Sequence, residues 1–293
     1  MGLGHNQYLV QDRIGQVLGG RYEIRAQLGR GGQSTVYRAY DRRDGDEVAV
    51  KILASNSDAA MTERMYREAW AMSSLSGTAA VRVLHQVREP DGTFGLVMEL
   101  LHGVDLLDYI EWHEKRGERV PLSALRDIGG PLVQTLEAAH AIGIVHRDIK
   151  PPNVWVVDPK HGGGVRLLDF GFAKLVRGVQ ITGLDEVAGT PTFIAPEVFM
   201  KGAAKADSRA DVYSLSVLFY RMIAGHVPFE AKSLVQLLQK VTTAPRPSLH
   251  AARPDLPPMV DDWVQQALHI DPDHRFARVR GMYNALLGCL EGG

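Results

Sequence analysis

The sequence predicts an α+β protein in two parts, a small antiparallel β-sheet with one main helix followed by a mainly helical part. Residues 22–53 contain three runs of alternating apolar and polar side chains, separated by glycine-rich or charged turns, which is typical of antiparallel strands. From residue 106 onward, apolar residues recur mainly at helical spacing. A chain of 293 residues is long enough for two modest lobes.

Composition and charge are those of an ordinary globular protein. Hydrophobic residues make up 45%, charged residues make up 23%, and the formal net charge is -1, so no overall field favours nucleic acid. The single cysteine, Cys289, excludes an intramolecular disulfide and suits a reducing compartment. The N-terminus lacks a signal-peptide core, and no apolar run approaches the roughly 20 residues of a membrane span. We therefore expect a cytoplasmic protein with no membrane segment and no nucleic-acid partner.

Residues 1–20 are predicted to form an N-terminal extension. Apolar side chains recur at helical spacing from Val10 to Leu18, and the glycines that begin at Gly19 would end a short helix there. The simplest interpretation is a strap that packs on the neighbouring lobe.

The first strands enclose a glycine-rich turn. Strands are predicted at 22–25, in the second half of 28–39 and at 47–53, and Gly29 and Gly31 lie between the first two. Glycines let a phosphate group approach backbone N–H donors closely. A plain hairpin turn is the competing interpretation, and the glycines alone favour it.

Lys51 favours a phosphate-binding turn over a plain hairpin turn. It lies on the third strand, on the same face as Ala49. A lysine that points inward is costly to bury without a partner. The helix predicted at 58–75 offers Glu68, four residues before Met72 on its inward stripe. We expect a Lys51–Glu68 ion pair, with a solvated Glu68 as the alternative.

The remaining elements follow from the same patterns. Two further strands are predicted at 81–87 and 93–100, and the segment 98–103 is interpreted as a connector between the lobes. Short strands are expected at 155–157 and 165–168. Helices are predicted at 106–115, 123–141, 211–223, 233–241, 259–269 and 282–290, and the second of them should kink at Gly129-Gly130-Pro131.

The stretch from His146 to Asp169 carries the chemically most informative residues. Asp148, Lys150 and Asn153 lie in one short window, and Asp169 follows. An acid that accepts a hydroxyl proton, a cation near a transferring phosphate and two oxygen ligands for Mg²⁺ suit phosphoryl transfer. A loop turned by two prolines could aim these groups at one point.

Taken together, the residues resemble the eukaryotic-type (Hanks-type) protein kinases, in particular the bacterial Ser/Thr kinases. The resemblance covers about residues 22–290 and implies the bilobal protein-kinase fold. Its motifs occur in family order: the glycine-rich stretch 29–36, Lys51 in the strand 48–51, Glu68, the loop 146–153, Asp169-Phe170-Gly171, Ala195-Pro196-Glu197, Asp211 and Arg275. Lys150 in the loop and Thr190 before the Ala-Pro-Glu motif resemble Ser/Thr rather than Tyr kinases.

The resemblance implies catalytic and metal-binding roles. Lys51 would contact the nucleotide phosphates and Glu68 would orient it, while Asp148 would serve as catalytic base and Lys150 would neutralise charge on the transferring phosphate. The Mg²⁺ ligands would be Asn153 and Asp169. A buried Glu197–Arg275 ion pair and Asp211 beneath the catalytic loop would serve as scaffold.

It also implies a nucleotide site formed by a larger set of residues. These are Gly29, Gly31, Ser34, Val36, Ala49, Lys51, Met98, Glu99, Leu101, Asp105 and Trp155. Met98 would be the gatekeeper, Glu99 and Leu101 would offer backbone groups to adenine, and Asp105 would contact the ribose. Two residues depart from the family pattern: Ser34 replaces a glycine, and Trp155 replaces an aliphatic residue beneath the base, where it could stack or crowd.

The activation segment carries a regulatory expectation. In relatives with an arginine at the position of Arg147, a phosphorylated residue of this segment pairs with the arginine. Some relatives place that phosphorylated residue shortly before a Gly-Thr pair, here Gly189-Thr190, and this chain has Glu186 there. Glu186 would therefore partly replace the phosphate; the alternative is that it is a solvated loop acid. Thr182 would be the residual autophosphorylation site, and Thr190 completes the set of regulatory residues.

The resemblance implies ATP and Mg²⁺ as cofactors, with Mn²⁺ as an alternative ion, and proteins with Ser or Thr as substrates. It is compatible with a dimer that autophosphorylates. The domains would be an extension at 1–20, an N-lobe at 21–101 and a C-lobe at 102–293. A pseudokinase scaffold is the competing function, favoured by Trp155 alone. A third candidate function is that of an aminoglycoside-type small-molecule kinase. Such kinases lack an Ala-Pro-Glu segment after Asp-Phe-Gly, whereas this chain has one at Ala195-Pro196-Glu197.

Overall fold

In the computed structural model, the described residues are 13–31, 34–53, 59–170, 191–202 and 206–291. They form two compact units. One unit combines the described residues up to Ser73 with Val81–Leu101, and the other combines Ser74–Ala80 with the described residues from His102 onward.

The first unit contains an antiparallel sheet, with six strands in its described residues. They are β1 (Val17–Leu18), β2 (Tyr22–Arg30), β3 (Ser34–Asp41), β4 (Glu47–Leu53), β5 (Val83–Arg88) and β6 (Phe94–Glu99). The spatial order is β1-β2-β3-β4-β6-β5, and all neighbours are antiparallel. Helix α1 (Ala59–Ser74) connects β4 to β5. A small antiparallel sheet with one main helix was predicted, and it is confirmed.

The two faces of the sheet differ in chemistry. One face packs into a hydrophobic cluster that includes Leu18, Ile24, Val48, Val50 and Ile52. Because side chains alternate along a strand, the residues between these in β4 point to the opposite face. That opposite face carries the lysine predicted to act in the site.

The predicted helix before Gly19 is wrong for residues 13–20. Val17 and Leu18 form β1 and pair with β2, and Gly15 adopts a φ of 86° that favours glycine. Leu18 is buried in the sheet cluster, so the pairing of this segment with the sheet edge outweighs the helical periodicity. The rest of the predicted helix lies outside the described residues.

The second unit is mainly helical in its described part. Its helices are α2 (Leu106–Lys115), α3 (Ala124–Asp127), α4 (Gly129–Ala141), α5 (Pro196–Lys201), α6 (Arg209–Ala224), α7 (Leu234–Thr243), α8 (Leu249–Ala252), α9 (Val260–Ala267) and α10 (Val279–Glu291). A small antiparallel sheet of order β7-β8-β9 contains β7 (Gly103–Asp105), β8 (Val154–Val157) and β9 (Val165–Leu167). None of the described helices combines the length and the hydropathy that a membrane span requires.

Helix α6 forms the core of this unit. Every residue from Ala210 to Tyr220 is buried, so even its polar side chains lie inside. Ser214 and Ser216 donate their hydroxyl groups to carbonyl oxygens four residues back, at 3.0 and 2.7 Å. Asp211, near the start of the helix, is fully buried as well and turns toward the catalytic loop.

The predicted kink in the helix at 123–141 is a break in the structure. Helix α3 ends at Asp127 and α4 begins at Gly129, with Ile128 between them. A Cβ atom on Gly129 would lie 3.0 Å from the Phe219 ring and 3.1 Å from the Tyr283 ring, so a side chain there would press on the core. Glycine therefore permits close packing of α4 on α6 and α10.

Residues 74–80 belong to the second unit through hydrogen bonds made by Ala79. Its N–H donates to Thr135 Oγ1 at 2.9 Å, and its carbonyl accepts the N–H of Leu167 at 2.6 Å. Ala80 and Leu167 also form a parallel bridge. A segment that lies between α1 and β5 in the chain is thereby fixed to α4 and β9.

Candidate active site

Lys51 on β4 forms an ion pair with Glu68 on α1. Lys51 Nζ lies 2.7 Å from Glu68 Oε1, and both side chains are buried. The strand register places Lys51 opposite Val36 of β3. A buried lysine needs such a partner, because desolvation of an unpaired ammonium group is costly.

The glycine-rich turn precedes β3. Gly29 pairs with Val36 across an irregularity in the register, and the Gly31 N–H donates to the Ser34 carbonyl at 2.8 Å. Residues 32 and 33 lie outside the described residues. The turn joins two strands of the sheet, and β3 in turn pairs with the lysine-bearing strand.

Met98 and Glu99 lie at the end of β6, where the connector begins. Met98 pairs with Ala49 of β4, and both side chains are buried. The Glu99 carboxylate accepts the Arg82 N–H at 2.8 Å, while the Glu99 N–H donates to the Arg82 carbonyl at 3.0 Å. These bonds fix the strand end, and half-buried Leu101 follows two residues later.

In the second unit, Asp148, Lys150 and Asn153 form one cluster. Asp148 Oδ2 lies 3.1 Å from Lys150 Nζ and accepts Asn153 Nδ2–H at 3.0 Å. Asn153 Nδ2 also donates to the Asp148 carbonyl at 2.7 Å. The short 3₁₀ turn Pro151–Asn153 brings the amide back to the carboxylate. The loop thus combines a carboxylate, a cation and an amide within hydrogen-bond distance.

Asn153 and Asp169 suit a magnesium ion by their chemistry. The Asn153 amide donates through Nδ2, which leaves its oxygen Oδ1 as the ligand atom. The Leu168 N–H donates to the Asn153 carbonyl at 2.8 Å, so the backbone before Asp169 is tied to the loop. In the described residues, no group of three His, Cys, Asp or Glu side chains could hold a metal. In proteins, Mg²⁺ usually takes one or two protein ligands together with substrate phosphates.

Asp169 has a φ of 47°, in the left-handed region that non-glycine residues rarely adopt. Such conformations persist where the surroundings impose them, and they cluster at functional sites. Asp169 is exposed, whereas the next residue, Phe170, is buried against the His146 ring with centroids 4.7 Å apart.

His146 is fully buried at the start of the catalytic loop. Burial lowers its pKa from the ordinary value, and the nearby Asp211 and Asp148 carboxylates oppose that shift only in part. The neutral ring fits its contacts, because Nε2 lies 3.0 Å from the Leu168 carbonyl and Nδ1 accepts the Asp148 N–H at 3.3 Å. His146 therefore links the loop to the segment that carries Asp169.

Asp211 holds the backbone of this loop. Its Oδ2 accepts the His146 N–H and its Oδ1 accepts the Arg147 N–H, both at 2.8 Å. Sequence reasoning missed a third partner, His140 of α4, whose Nε2 lies 2.8 Å from Asp211 Oδ2. The sequence feature that could have identified His140 is a polar residue among alanines, near the end of the helix that precedes the loop.

Arg147 is a half-buried cation without an acid partner in the part of the chain that the structure describes. Its Nε is buried and unpaired there, and one Nη donates to the Ala206 carbonyl at 3.2 Å. Desolvation lowers its pKa, although a guanidinium remains charged at neutral pH.

Trp155 and Asp105 lie opposite each other on neighbouring strands β8 and β7. The Trp155 Nε1–H is buried without a partner among the described residues. Asp105 is the N-cap of α2 and accepts the Asp108 N–H at 2.9 Å. A ribose contact by Asp105 would therefore share a carboxylate that already caps a helix.

Glu197 and Arg275 form a buried, bidentate ion pair with nitrogen–oxygen distances of 2.8 and 2.7 Å. Arg275 also donates to the carbonyl oxygens of His269, Ile270 and Arg209. The remaining donors are satisfied, which a buried guanidinium requires.

Gly171 and the three regulatory candidates lie outside the described residues; those candidates are Thr182, Glu186 and Thr190. The structure brings together Lys51 with Glu68 in one unit, and Asp148 with Lys150 and Asn153 in the other.

The sequence matches the protein kinase domain family over residues 22–285. The chain belongs to the protein kinase family. The resemblance seen in the sequence is thereby confirmed, and so is the protein-kinase fold, with its antiparallel sheet and one helix in the first unit and its mainly helical second unit.

Curated bacterial relatives carry serine/threonine-kinase names. The chain is 35% identical over 263 residues to the serine/threonine-protein kinase PknL of Mycobacterium tuberculosis, which covers 89% of this chain and 63% of PknL. It is 33% identical over 271 residues to PrkC of Bacillus subtilis, covering 92% of this chain and 40% of PrkC. This kinase chain therefore spans less than two thirds of the length of these relatives.

A solved structure with the same fold is the PknI kinase domain of Mycobacterium tuberculosis. The TM-score is 0.70 at 24% identity, and the match covers 93% of this chain and 97% of that one. At this identity, the likeness supports the fold of the kinase chain and nothing further.

Proposed function

We propose that this protein transfers the γ-phosphoryl group of ATP to Ser or Thr hydroxyls of protein substrates. The observation that carries the proposal is the Asp148–Lys150–Asn153 cluster, in which an ammonium group and an amide each lie within 3.1 Å of one carboxylate oxygen. Such a cluster supplies the base, the charge neutralisation and a metal ligand that in-line phosphoryl transfer requires.

Asp148 acts on the acceptor hydroxyl. Its carboxylate orients the Ser or Thr hydroxyl and accepts the proton as the oxygen attacks phosphorus. Lys150, 3.1 Å from Asp148 Oδ2, offsets negative charge on the transferring group. Asn153 and Asp169 would hold Mg²⁺, or Mn²⁺ in its place, and the ion would neutralise the phosphate oxygens when bound.

The proposed nucleotide contacts are made by the residues that the resemblance to the kinase family implies. Lys51, kept in place by Glu68, binds the phosphates, and the turn that contains Gly29, Gly31 and Ser34 offers backbone N–H groups. Adenine contacts come from Val36, Ala49, Met98, Glu99, Leu101 and Trp155. Asp105 binds the ribose.

Regulation acts through Arg147. Its buried Nε has no hydrogen-bond partner among the described residues, and a buried guanidinium is stabilised by an anion. Glu186 is our candidate for that anion in the basal state. Phosphorylated Thr182, formed by autophosphorylation in a dimer, would supply more charge at the same point. Thr190 is the remaining regulatory candidate.

The division of the chain is a proposal as well. It assigns residues 1–20 to an extension, 21–101 to the N-lobe and 102–293 to the C-lobe. We place the kinase in the cytoplasm, because a single cysteine fits a reducing compartment.

The decisive experiment is phosphoryl transfer from γ-labelled ATP with Mg²⁺ to the protein itself and to casein as a general Ser/Thr substrate. We expect label on Ser or Thr with the wild type and none with Asp169→Ala. Asp262→Ala, an exposed acid of α9, is the matched control and should keep activity. Nucleotide binding without label in the wild type would instead favour the pseudokinase scaffold.

A further inference from the structure

A cavity of about 380 Å³ lies in the second unit beside the residues that hold the catalytic loop. Its walls come from the end of α4, the residue before α6 and the start of α10. The lining residues are Glu137, His140, Ala141, Ser208, Ala277, Arg278 and Val279. A volume of this size fits a small organic molecule.

The cavity has a direct connection to the catalytic loop through His140. The His140 ring lines the cavity, and its Nε2 lies 2.8 Å from Asp211 Oδ2. The same carboxylate accepts the backbone N–H groups of His146 and Arg147. A ligand in the cavity would therefore touch a side chain that is one hydrogen bond from the carboxylate fixing the loop.

The polar groups in the walls favour an anion. Arg278 is exposed and forms no ion pair with the described residues, and the Ser208 side chain makes no helix-capping hydrogen bond. The negative charge of Glu137 is compensated by Arg280, whose Nε lies 2.8 Å from Glu137 Oε2.

Two further acids near this end of α6 and α10 share one cation, so only one of their two charges is offset. Asp207 and Asp273 both pair with Arg209. Those two acids do not line the cavity. Of the lining side chains, Glu137 is paired with Arg280, whereas Arg278 has no ion-pair partner among the described residues and lies beside a hydroxyl group.

We propose that this cavity binds a small organic oxyanion, a carboxylate or a phosphate monoester. Arg278 supplies the charge, and Ser208 Oγ–H donates a hydrogen bond to the oxyanion. A ligand that contacts the His140 ring holds its Nε2 beside Asp211 Oδ2. Binding at the cavity thereby stabilises the hydrogen bonds that position the loop.

Binding can be tested without any activity assay, by calorimetry with inorganic phosphate and with malonate at constant ionic strength. We expect saturable binding of at least one probe with a dissociation constant in the millimolar range or below. Arg278→Gln should weaken it about tenfold or more, and Ser208→Ala several-fold. Arg119→Gln, an exposed arginine outside this cavity, is the matched control and should bind like the wild type.

The outcomes separate clearly. Phosphate binding alone or malonate binding alone identifies the phosphate or the carboxylate as the preferred group, and either supports the proposal. No saturable binding of either probe, or equal affinities for the wild type and Arg278→Gln, overturns it. Melting temperatures of the variants near that of the wild type show that the substitutions leave the fold intact.

The effect on catalysis rests on the proposed kinase function. The tighter probe should change kcat for casein in the wild type and leave kcat of Arg278→Gln unchanged. An unchanged kcat in the wild type at saturation overturns the coupling. If the protein transfers no phosphoryl group at all, the calorimetric result still decides the binding site.

Discussion

Asp211 accepts the backbone N–H of Arg147 at 2.8 Å, and Arg147 is held there at a φ of 63°. A non-glycine residue in the left-handed region costs free energy that the surroundings must offset. Asp211 is fully buried, and it also accepts the His146 N–H, so one carboxylate fixes two successive peptide groups. The conformation of the loop just before Asp148 therefore depends on this side chain.

We predict that Asp211→Asn lowers the free energy of unfolding by about 2–4 kcal/mol, because hydrogen bonds to a charged group are replaced and a new buried donor faces other donors. Urea denaturation measures the loss. Asp262→Asn, an exposed acid of α9, should change stability by less than about 0.5 kcal/mol. Similar stabilities for the two variants would contradict the role given to Asp211.

The activation-segment proposal predicts that Glu186→Ala lowers kcat about tenfold, since Arg147 would lose a charged hydrogen-bond partner. In an Arg147→Ala background, Glu186→Ala should have no additional effect. Steady-state assays of the two single variants and the double variant give the coupling energy. Asp185→Ala, one residue away, is the control and should retain activity. Unchanged turnover in Glu186→Ala would contradict the proposed pairing of Glu186 with Arg147.

Trp155 is predicted to stack on the adenine ring. Replacement by Leu should raise the KM for ATP roughly 2- to 10-fold, the range expected from loss of aromatic stacking. Trp155→Phe keeps an aromatic face and should keep most of the affinity. An equal or lower KM in Trp155→Leu would show instead that the indole crowds the base.

The lowered pKa of His146 predicts that the stability of the protein depends on pH. Burial holds its pKa below the ordinary imidazole value of about 6.5, so the unfolded chain binds a proton more readily than the folded protein. The free energy of unfolding should therefore fall as the pH drops below about 6.5. His146→Phe should show a shallower fall in urea titrations between about pH 5 and pH 8. Identical slopes for both proteins would refute this assignment.

Elements with strong local signals could be predicted from the sequence. The apolar run after Asp211 became α6, and the alternating strands became β2, β3 and β4, because each pattern matches the period of its element. The Lys51–Glu68 contact was also expected, since an inward lysine needs an acid and the next helix offers one.

Features set by distant contacts could not be predicted in this way. Strand β7, Gly103–Asp105, has three residues and exists because it pairs with β8. β1 formed where helical periodicity had favoured a helix, because Leu18 packs into the sheet cluster. The positive φ angle of Arg147 likewise depends on its hydrogen bond to Asp211, 64 residues away in the chain.

The hydrogen bonds of Ala79 to Thr135 and Leu167 have a consequence for dividing the protein into fragments. Each compact unit is assembled from two separate stretches of the chain, since residues 74–80 belong with the helices. A single cut at the connector after Leu101 would leave that heptapeptide on the wrong fragment. Fragment complementation should therefore depend on it, and the helical fragment alone should lack the partner that Thr135 and Leu167 need.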